Sequence, residues 1–150
     1  MELLGRILLV EDDPNDVELT LTALEQHNLR NEIVVAYDGE EALDYLYRRG
    51  RFVGVPPAQP AVVLLDLKLP KISGFEVLRQ IKSDPLLKMI PVVILTSSGE
   101  DKDLAKCYEL GTSAYVVKPV NFHEFVDAVR DIGAFWAVLN EPSPGCVKRR

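Results

Sequence analysis

The chain has 150 residues, of which 47% are hydrophobic, and this composition fits one globular domain with a substantial core. Its formal charge of −6 argues against a nucleic-acid partner, and no apolar run approaches the length of a membrane span. With only two cysteines, Cys107 and Cys146, a disulfide framework is not expected, so we predict a cytoplasmic protein with reduced thiols.

Short apolar segments alternate with amphipathic ones along the chain. The apolar segments predict five strands, at residues 7–10, 33–36, 61–65, 91–95 and 114–117, of which the first and third are expected to be buried. The amphipathic segments predict five helices, which begin at Pro14, Glu40, Phe75, Glu100 and Phe122. The first is expected to end at residues 29–31 and the second at Arg49, and residues 50–60, rich in glycine and proline, are expected to form a connection.

This alternation predicts the α/β class. We expect a flavodoxin-like three-layer α/β/α sandwich, with a five-stranded parallel sheet of order 2-1-3-4-5 and five helices. Sheets of this kind bind ligands beyond the carboxyl ends of their strands. In the predicted order, the ends of strands one, three, four and five are neighbours.

Polar residues follow those four strands. Asp66 alone would be explained as a turn residue, because aspartate favours turns. The predicted sheet order, however, brings several acids, a hydroxyl and an ammonium to the same edge. They are Glu11, Asp12 and Asp13 after strand one, Asp66 after strand three, Thr96 after strand four and Lys118 after strand five.

The residue types at this edge favour phosphoryl chemistry. Clustered carboxylates repel one another unless a cation joins them, and oxygen ligands favour Mg²⁺. Asp66 could then attack an activated phosphoryl group, while Lys118 and Thr96 contact its oxygens. The sequence has no glycine-rich phosphate loop, so a nucleoside triphosphate is not the expected donor.

Four motifs, LLVEDD, LLDLKLP, ILTSS and VVKP, resemble in order and spacing the response-regulator receiver domain, and the resemblance covers residues 5–135. It implies that Asp66 is the phosphoacceptor. It further implies that Asp12, Asp66 and the backbone carbonyl of Lys68 hold Mg²⁺, with Glu11 acting through a metal-bound water.

The same resemblance implies a switch. Thr96 would be the hydroxyl that moves toward the phosphoryl group, Lys118 would contact the phosphate, and Tyr115 would be the switching aromatic. The alternative is that Tyr115 is an ordinary half-buried strand tyrosine. Lys68 and Ser98 stand at the two positions that tune phosphoryl lifetime in this family, although Lys68 could also be only a solvated loop residue.

Two further positions follow from the resemblance. Asp13 matches no metal-ligand position and is expected to cap the first helix. Lys118–Pro119 corresponds to a cis peptide bond of the family, although only about 5% of X–Pro bonds are cis.

The last helix continues past its core stripe into an apolar segment. Either this segment closes the lower edge of the core, or it forms an interface. The tail DIGAFWAVLNEP, with LYRRG, resembles receivers that serve phytochrome-type histidine kinases in cyanobacteria and other bacteria, and these tend to form homodimers through the last helix. The predicted interface residues are Phe135, Trp136, Val138 and Leu139.

We therefore expect residues 1–140 to form a receiver domain and residues 141–150 a short tail without an output domain. The expected function is that of a single-domain response regulator. It would take a phosphoryl group from a histidine kinase, here a phytochrome-type kinase, and switch a protein-binding surface. It would be no enzyme beyond its own phosphotransfer and dephosphorylation, and it would bind neither nucleic acid nor membrane.

Three alternatives remain open at this point. The kinase could belong to another class. An aspartyl-nucleophile phosphatase would need a second acid two residues after Asp66, where this chain has Lys68. A flavin carrier of the same fold would bind a phosphate after strand one, where the acidic residues 11–13 would repel it.

Overall fold

A computed structural model describes residues 6–26, 33–55, 59–119 and 121–139. Five parallel strands form one sheet in the order β2-β1-β3-β4-β5, which confirms the predicted topology. The strands are β1 (Ile7–Val10), β2 (Ile33–Ala36), β3 (Val62–Leu65), β4 (Val92–Thr96) and β5 (Ala114–Val117).

Five helices cover the two faces of the sheet. They are α1 (Pro14–Gln26), α2 (Gly39–Tyr47), α3 (Gly74–Ser83), α4 (Asp101–Leu110) and α5 (Phe122–Gly133), which continues into a six-residue π-helix (Ala134–Leu139). Helices α1 and α5 pack on one face, and α2, α3 and α4 pack on the other. In the described part of the chain, none of these helices has the length and apolar character needed to cross a bilayer.

The central strands are buried on both faces, which explains their unbroken apolar runs. Every residue of β1, β3 and β4 is buried. Because side chains alternate across a strand, Leu8 and Val10 enter the core beneath α2 and α3, whereas Ile7 and Leu9 enter the core beneath α1 and α5. The sheet is therefore a rigid platform whose strand ends have fixed relative positions.

One local prediction needs correction. The second helix ends at Tyr47 and not at Arg49, because Arg48 adopts a left-handed conformation with φ 52° and its N–H closes the last turn. The connection that follows contains a short 3-10 helix, and its buried Phe52 packs edge-on against Tyr45 at 5.2 Å between ring centroids. The predicted end of the first helix, at residues 29–31, lies outside the described residues.

The Lys118–Pro119 bond also differs from what the resemblance implies. The described residues contain no cis peptide bond, so this bond is trans. Trans is the lower-energy isomer of an X–Pro bond by about 0.5–1 kcal/mol. The backbone N–H of Lys118 donates to the carbonyl of Thr96 at 2.6 Å and so continues the pairing of β5 with β4.

The N-terminus of α3 packs directly on the chain that leaves β3. Gly74 donates its N–H to the Leu67 carbonyl at 2.9 Å. A Cβ atom at Gly74 would lie 2.2 Å from the Asp66 carbonyl oxygen and 2.6 Å from the Leu67 Cα atom. The hydrogen bond and the close approach of Gly74 to this backbone fix the loop that follows Asp66.

We predict that Gly74→Ala lowers the free energy of unfolding by about 1–3 kcal/mol, because the added methyl group forces the backbone after β3 to shift. Gly54→Ala is the matched control, since nothing lies within 4 Å of a Cβ atom at that position. Urea denaturation of both variants tests this, and equal stabilities would contradict it.

Candidate functional site

The backbone hydrogen bonds at the ends of the strands place two buried carboxylates side by side. Asp66 donates its N–H to the Val10 carbonyl at 3.1 Å, and Glu11 donates its N–H to the Ala36 carbonyl at 3.0 Å. These bonds extend the ladders of β1 by one residue. Glu11 is only 4% exposed and Asp66 only 8% exposed, so both carboxylates lie in a largely dehydrated environment.

Three carboxylates converge at this edge of the sheet. One carboxylate oxygen from each of Glu11, Asp12 and Asp66 lies within 4.8 Å of the others. A set of oxygen donors alone suits a hard divalent cation such as Mg²⁺. The exposed Lys68 follows in the same loop, and its N–H lies 3.3 Å from Asp66 Oδ1. The three carboxylates and the Lys68 loop at this edge of the sheet therefore fit the predicted Mg²⁺ ion.

The ammonium group of Lys118 lies among carboxylates and is largely buried. Its Nζ atom donates to Glu11 Oε2 at 2.5 Å, to Asp16 Oδ2 at 2.7 Å and to Asp66 Oδ2 at 3.0 Å. An ammonium group has three protons, so these bonds use all of its donors. Asp16, in the first turn of α1, was not predicted from the sequence. The sequence signal for it is its position in the first turn of the helix that follows the acidic residues 11–13, and this signal does not identify its partner.

Burial and charge shift the ionisation of this cluster. Burial raises the pKa of Glu11 to about 7, with a further contribution from the charge of Asp66, while the hydrogen bond from Lys118 opposes the shift. Burial disfavours the Lys118 ammonium, but hydrogen bonds to Asp16 and Glu11 and the charge of Asp66 outweigh it and raise the pKa of Lys118 above its ordinary value. Lys118 is therefore charged at neutral pH, and it is outnumbered by carboxylates.

Thr96 is connected to Tyr115 through one residue of the loop after β4. Thr96 is fully buried, and the N–H of Ser98 lies 3.4 Å from its Oγ1 atom. The Tyr115 hydroxyl donates to the Ser98 carbonyl at 2.7 Å, and the Ser98 hydroxyl donates to Asp103 Oδ2 at 2.6 Å. A movement of Thr96 would therefore displace a loop that both β5 and α4 contact.

Asp13 and the last helix have separate roles. The Asp13 side chain accepts from the N–H of Asn15 at 2.8 Å, which confirms it as a cap of α1.

Phe135 is 50% exposed, whereas Trp136 is half-buried against the core beneath α1 and α5, and their rings meet edge-on at 5.0 Å. The side chains of Val138 and Leu139 lie outside the described part of the chain, as does Cys146.

A model of the response regulator receiver domain family matches residues 7–130. Probable methanogenesis regulatory protein FilR2 of Methanothrix harundinacea is 41% identical over 139 residues, which are 93% of this chain and 87% of that protein. Response regulator Rcp1 of Synechocystis sp. is 39% identical over 130 residues, which are 87% of each protein.

Solved structures resemble the chain over nearly its whole length. The Mn²⁺-bound form of Rcp1 gives a TM-score of 0.86 at 37% identity and covers 92% of this chain and 98% of that one. The phosphorylated cyanobacterial phytochrome response regulator RcpA gives 0.82 at 40% identity, covering 88% and 93%. The bacteriophytochrome response regulator RtBRR gives 0.75 at 60% identity, covering 95% and 86%.

We predict that Mg²⁺ at 100 times its dissociation constant raises the free energy of unfolding by about 2.7 kcal/mol, because only the folded chain assembles the carboxylates. Asp12→Asn should lose most of this gain. Asp13→Asn, which removes the same charge from the neighbouring residue and keeps a good helix cap, should retain it. Urea denaturation in EDTA and in Mg²⁺ measures the gain, and an equal gain in Asp12→Asn would contradict the assignment.

Proposed function

The chain belongs to the response regulator receiver domain family, and we propose on this basis that Asp66 accepts a phosphoryl group from a histidine kinase. The observation that carries the proposal is the position of the Asp66 carboxylate. It lies within 4.8 Å of the Glu11 and Asp12 carboxylates and 3.0 Å from the Lys118 ammonium. Nucleophile, cation ligands and phosphate-binding cation therefore share one site.

In the proposed transfer, an Asp66 oxygen forms a bond to phosphorus while the bond from phosphorus to the kinase histidine breaks. The leaving imidazole nitrogen takes the electron pair. Lys118 donates to one phosphoryl oxygen and neutralises part of its charge, and the Thr96 hydroxyl donates to another. Mg²⁺, when bound by Asp12, Asp66 and the Lys68 carbonyl, with Glu11 acting through a water, neutralises further charge on the phosphoryl group.

The phosphoryl group then changes a protein-binding surface. When Thr96 moves toward Asp66, the Ser98 backbone moves with it, and Ser98 is bonded to Tyr115 and Asp103. The affected surface is the face of α4, β5 and α5, where Leu104, Tyr108 and Val117 are exposed. Conversion from 1% to 99% of the active state would require about 5.5 kcal/mol of preferential stabilisation.

We place the kinase in the phytochrome class. RtBRR, at 60% identity, and RcpA, at 40%, are both described as phytochrome response regulators. FilR2, at 41% identity, is described as a probable methanogenesis regulatory protein, so a kinase of another class is the alternative.

The remaining parts of the proposal concern assembly and location. Homodimerisation through α5 and its π-helical extension is supported by Phe135, which exposes half of its surface next to Trp136. The negative formal charge of −6 favours a protein partner over nucleic acid. We place the protein in the cytoplasm, and its only catalysis would be its own phosphotransfer and dephosphorylation.

We predict that Asp66→Asn abolishes phosphorylation and leaves the fold intact, because an amide of the same shape lacks the nucleophilic oxygen. The assay compares transfer from a bilin-binding histidine kinase, from unrelated histidine kinases and from a small phosphodonor, with Asp13→Asn as control. Wild type should be labelled fastest by the bilin-binding kinase. Undiminished labelling of Asp66→Asn would disprove the acceptor assignment, whereas equal rates from all kinases would disprove only the phytochrome link.

We predict that Phe135→Ala shifts a dimer toward monomer by roughly tenfold in dissociation constant, because the mutation removes an aromatic side chain at the interface. Leu86→Ala is the matched control, since Leu86 is 77% exposed and lies outside α5. Sedimentation velocity over a concentration series gives the two constants. A dissociation constant unchanged by Phe135→Ala would contradict the proposed interface.

A further inference from the structure

Asp16 contacts Lys118 but does not belong to the metal-binding cluster. Its Oδ2 atom lies 2.7 Å from Lys118 Nζ, and its side chain is 27% exposed. The other two partners of Lys118, Glu11 and Asp66, both belong to the carboxylate group that fits a metal ion. Among the described residues, Asp16 is thus the one anionic partner of Lys118 outside the metal-binding group.

We propose that Asp16 is a positioning residue, which anchors the Lys118 ammonium on α1 and so leaves the oxygens of Glu11 and Asp66 available to Mg²⁺. The proposal rests on the function proposed above. It adds a residue to the site that neither the motifs nor the carboxylate cluster identified.

Two cations compete for the same carboxylate oxygens. The ammonium group and Mg²⁺ would share the oxygens of Glu11 and Asp66, and like charges a few ångströms apart repel. An acceptor that only the ammonium uses reduces this competition. Without the Asp16 carboxylate, the ammonium would direct its charge to Glu11 and Asp66 alone, and the metal would have to displace it from both.

Helix α1 gives Asp16 a defined position for this role. The helix begins directly after the acidic residues that follow β1, with Asp13 as its cap. Asp16 lies in its first turn, so its carboxylate approaches Lys118 from the helix side. Asp13 provides a control for simple charge removal: it is exposed, and the structure records no contact between it and Lys118.

The test is a double-mutant cycle on metal affinity of the full chain. Mn²⁺ binding is measured by the electron paramagnetic resonance signal of the free ion, and Mg²⁺ by competition. Asp16→Asn should weaken Mn²⁺ binding roughly tenfold, a typical loss for a residue that supports a metal site from outside its ligand shell. Asp13→Asn should weaken it by no more than about twofold, because an exposed charge is screened.

The cycle is completed in a Lys118→Met background. There, Asp16→Asn should cost no more than Asp13→Asn, because no ammonium remains to be anchored. Asp16→Glu, which keeps the carboxylate, should stay within about twofold of wild type. Circular dichroism checks that each variant is folded.

Two results would overturn the proposal: equal losses from Asp16→Asn and Asp13→Asn in the wild-type background, or an undiminished tenfold loss from Asp16→Asn in the Lys118→Met background. The second result would mean that Asp16 acts on the metal directly. A wild-type chain that binds no Mn²⁺ would instead overturn the proposed metal site itself, so the two failures are distinguishable.

Discussion

The bonds between one buried ammonium and the carboxylates around it organise the edge of the sheet. Lys118 donates to Glu11, Asp16 and Asp66, which come from the ends of β1 and β3 and from α1. Its two shortest sequence separations from these partners are 52 and 102 residues, so the contacts exist only when the sheet has formed. The parallel order of the strands is what brings the charges together.

The same charges suit the phosphoryl transfer proposed for this site. Carboxylates outnumber the ammonium group, burial raises the pKa of Glu11 to about 7, and the hydrogen bonds from Lys118 offset the repulsion among the carboxylates. A divalent cation would offset the excess negative charge of the carboxylates. Together with Lys118, it would also neutralise charge on the oxygens of a phosphoryl group. The contacts needed by the proposed switch are present, because the fully buried Thr96 and the hydroxyl of Tyr115 both contact Ser98.

The sequence was sufficient for the sheet order and for most of the site, because each of the predicted polar residues ends or directly follows an apolar strand. Asp66, Glu11, Thr96 and Lys118 could be located in this way, and the structure brings them to one edge. Asp16 could not, because it lies in the first turn of α1 and not at the end of a strand, and an acid on a helix is usually solvated.

Local features with no periodic signal were also beyond the sequence. Phe52 is a single buried aromatic in a connection, and only its contact with Tyr45 shows why that short helix forms. Likewise, the left-handed conformation of Arg48 ends α2 two residues early, at a residue type that seldom adopts it. The contact of Phe52 with Tyr45 accounts for the first feature, and the Arg48 N–H, which donates to the carbonyls of Asp44 and Tyr45, accompanies the second.

We propose that Asp66, one of the three carboxylates bonded to Lys118, carries the phosphoryl group. The most direct measurement is reductive trapping of the phosphorylated chain with borohydride, which converts an aspartyl phosphate to homoserine, followed by mass-spectrometric peptide mapping. We expect homoserine at position 66 and at no other aspartate position. Homoserine at Asp12, Asp13 or Asp16 with none at Asp66 would contradict it.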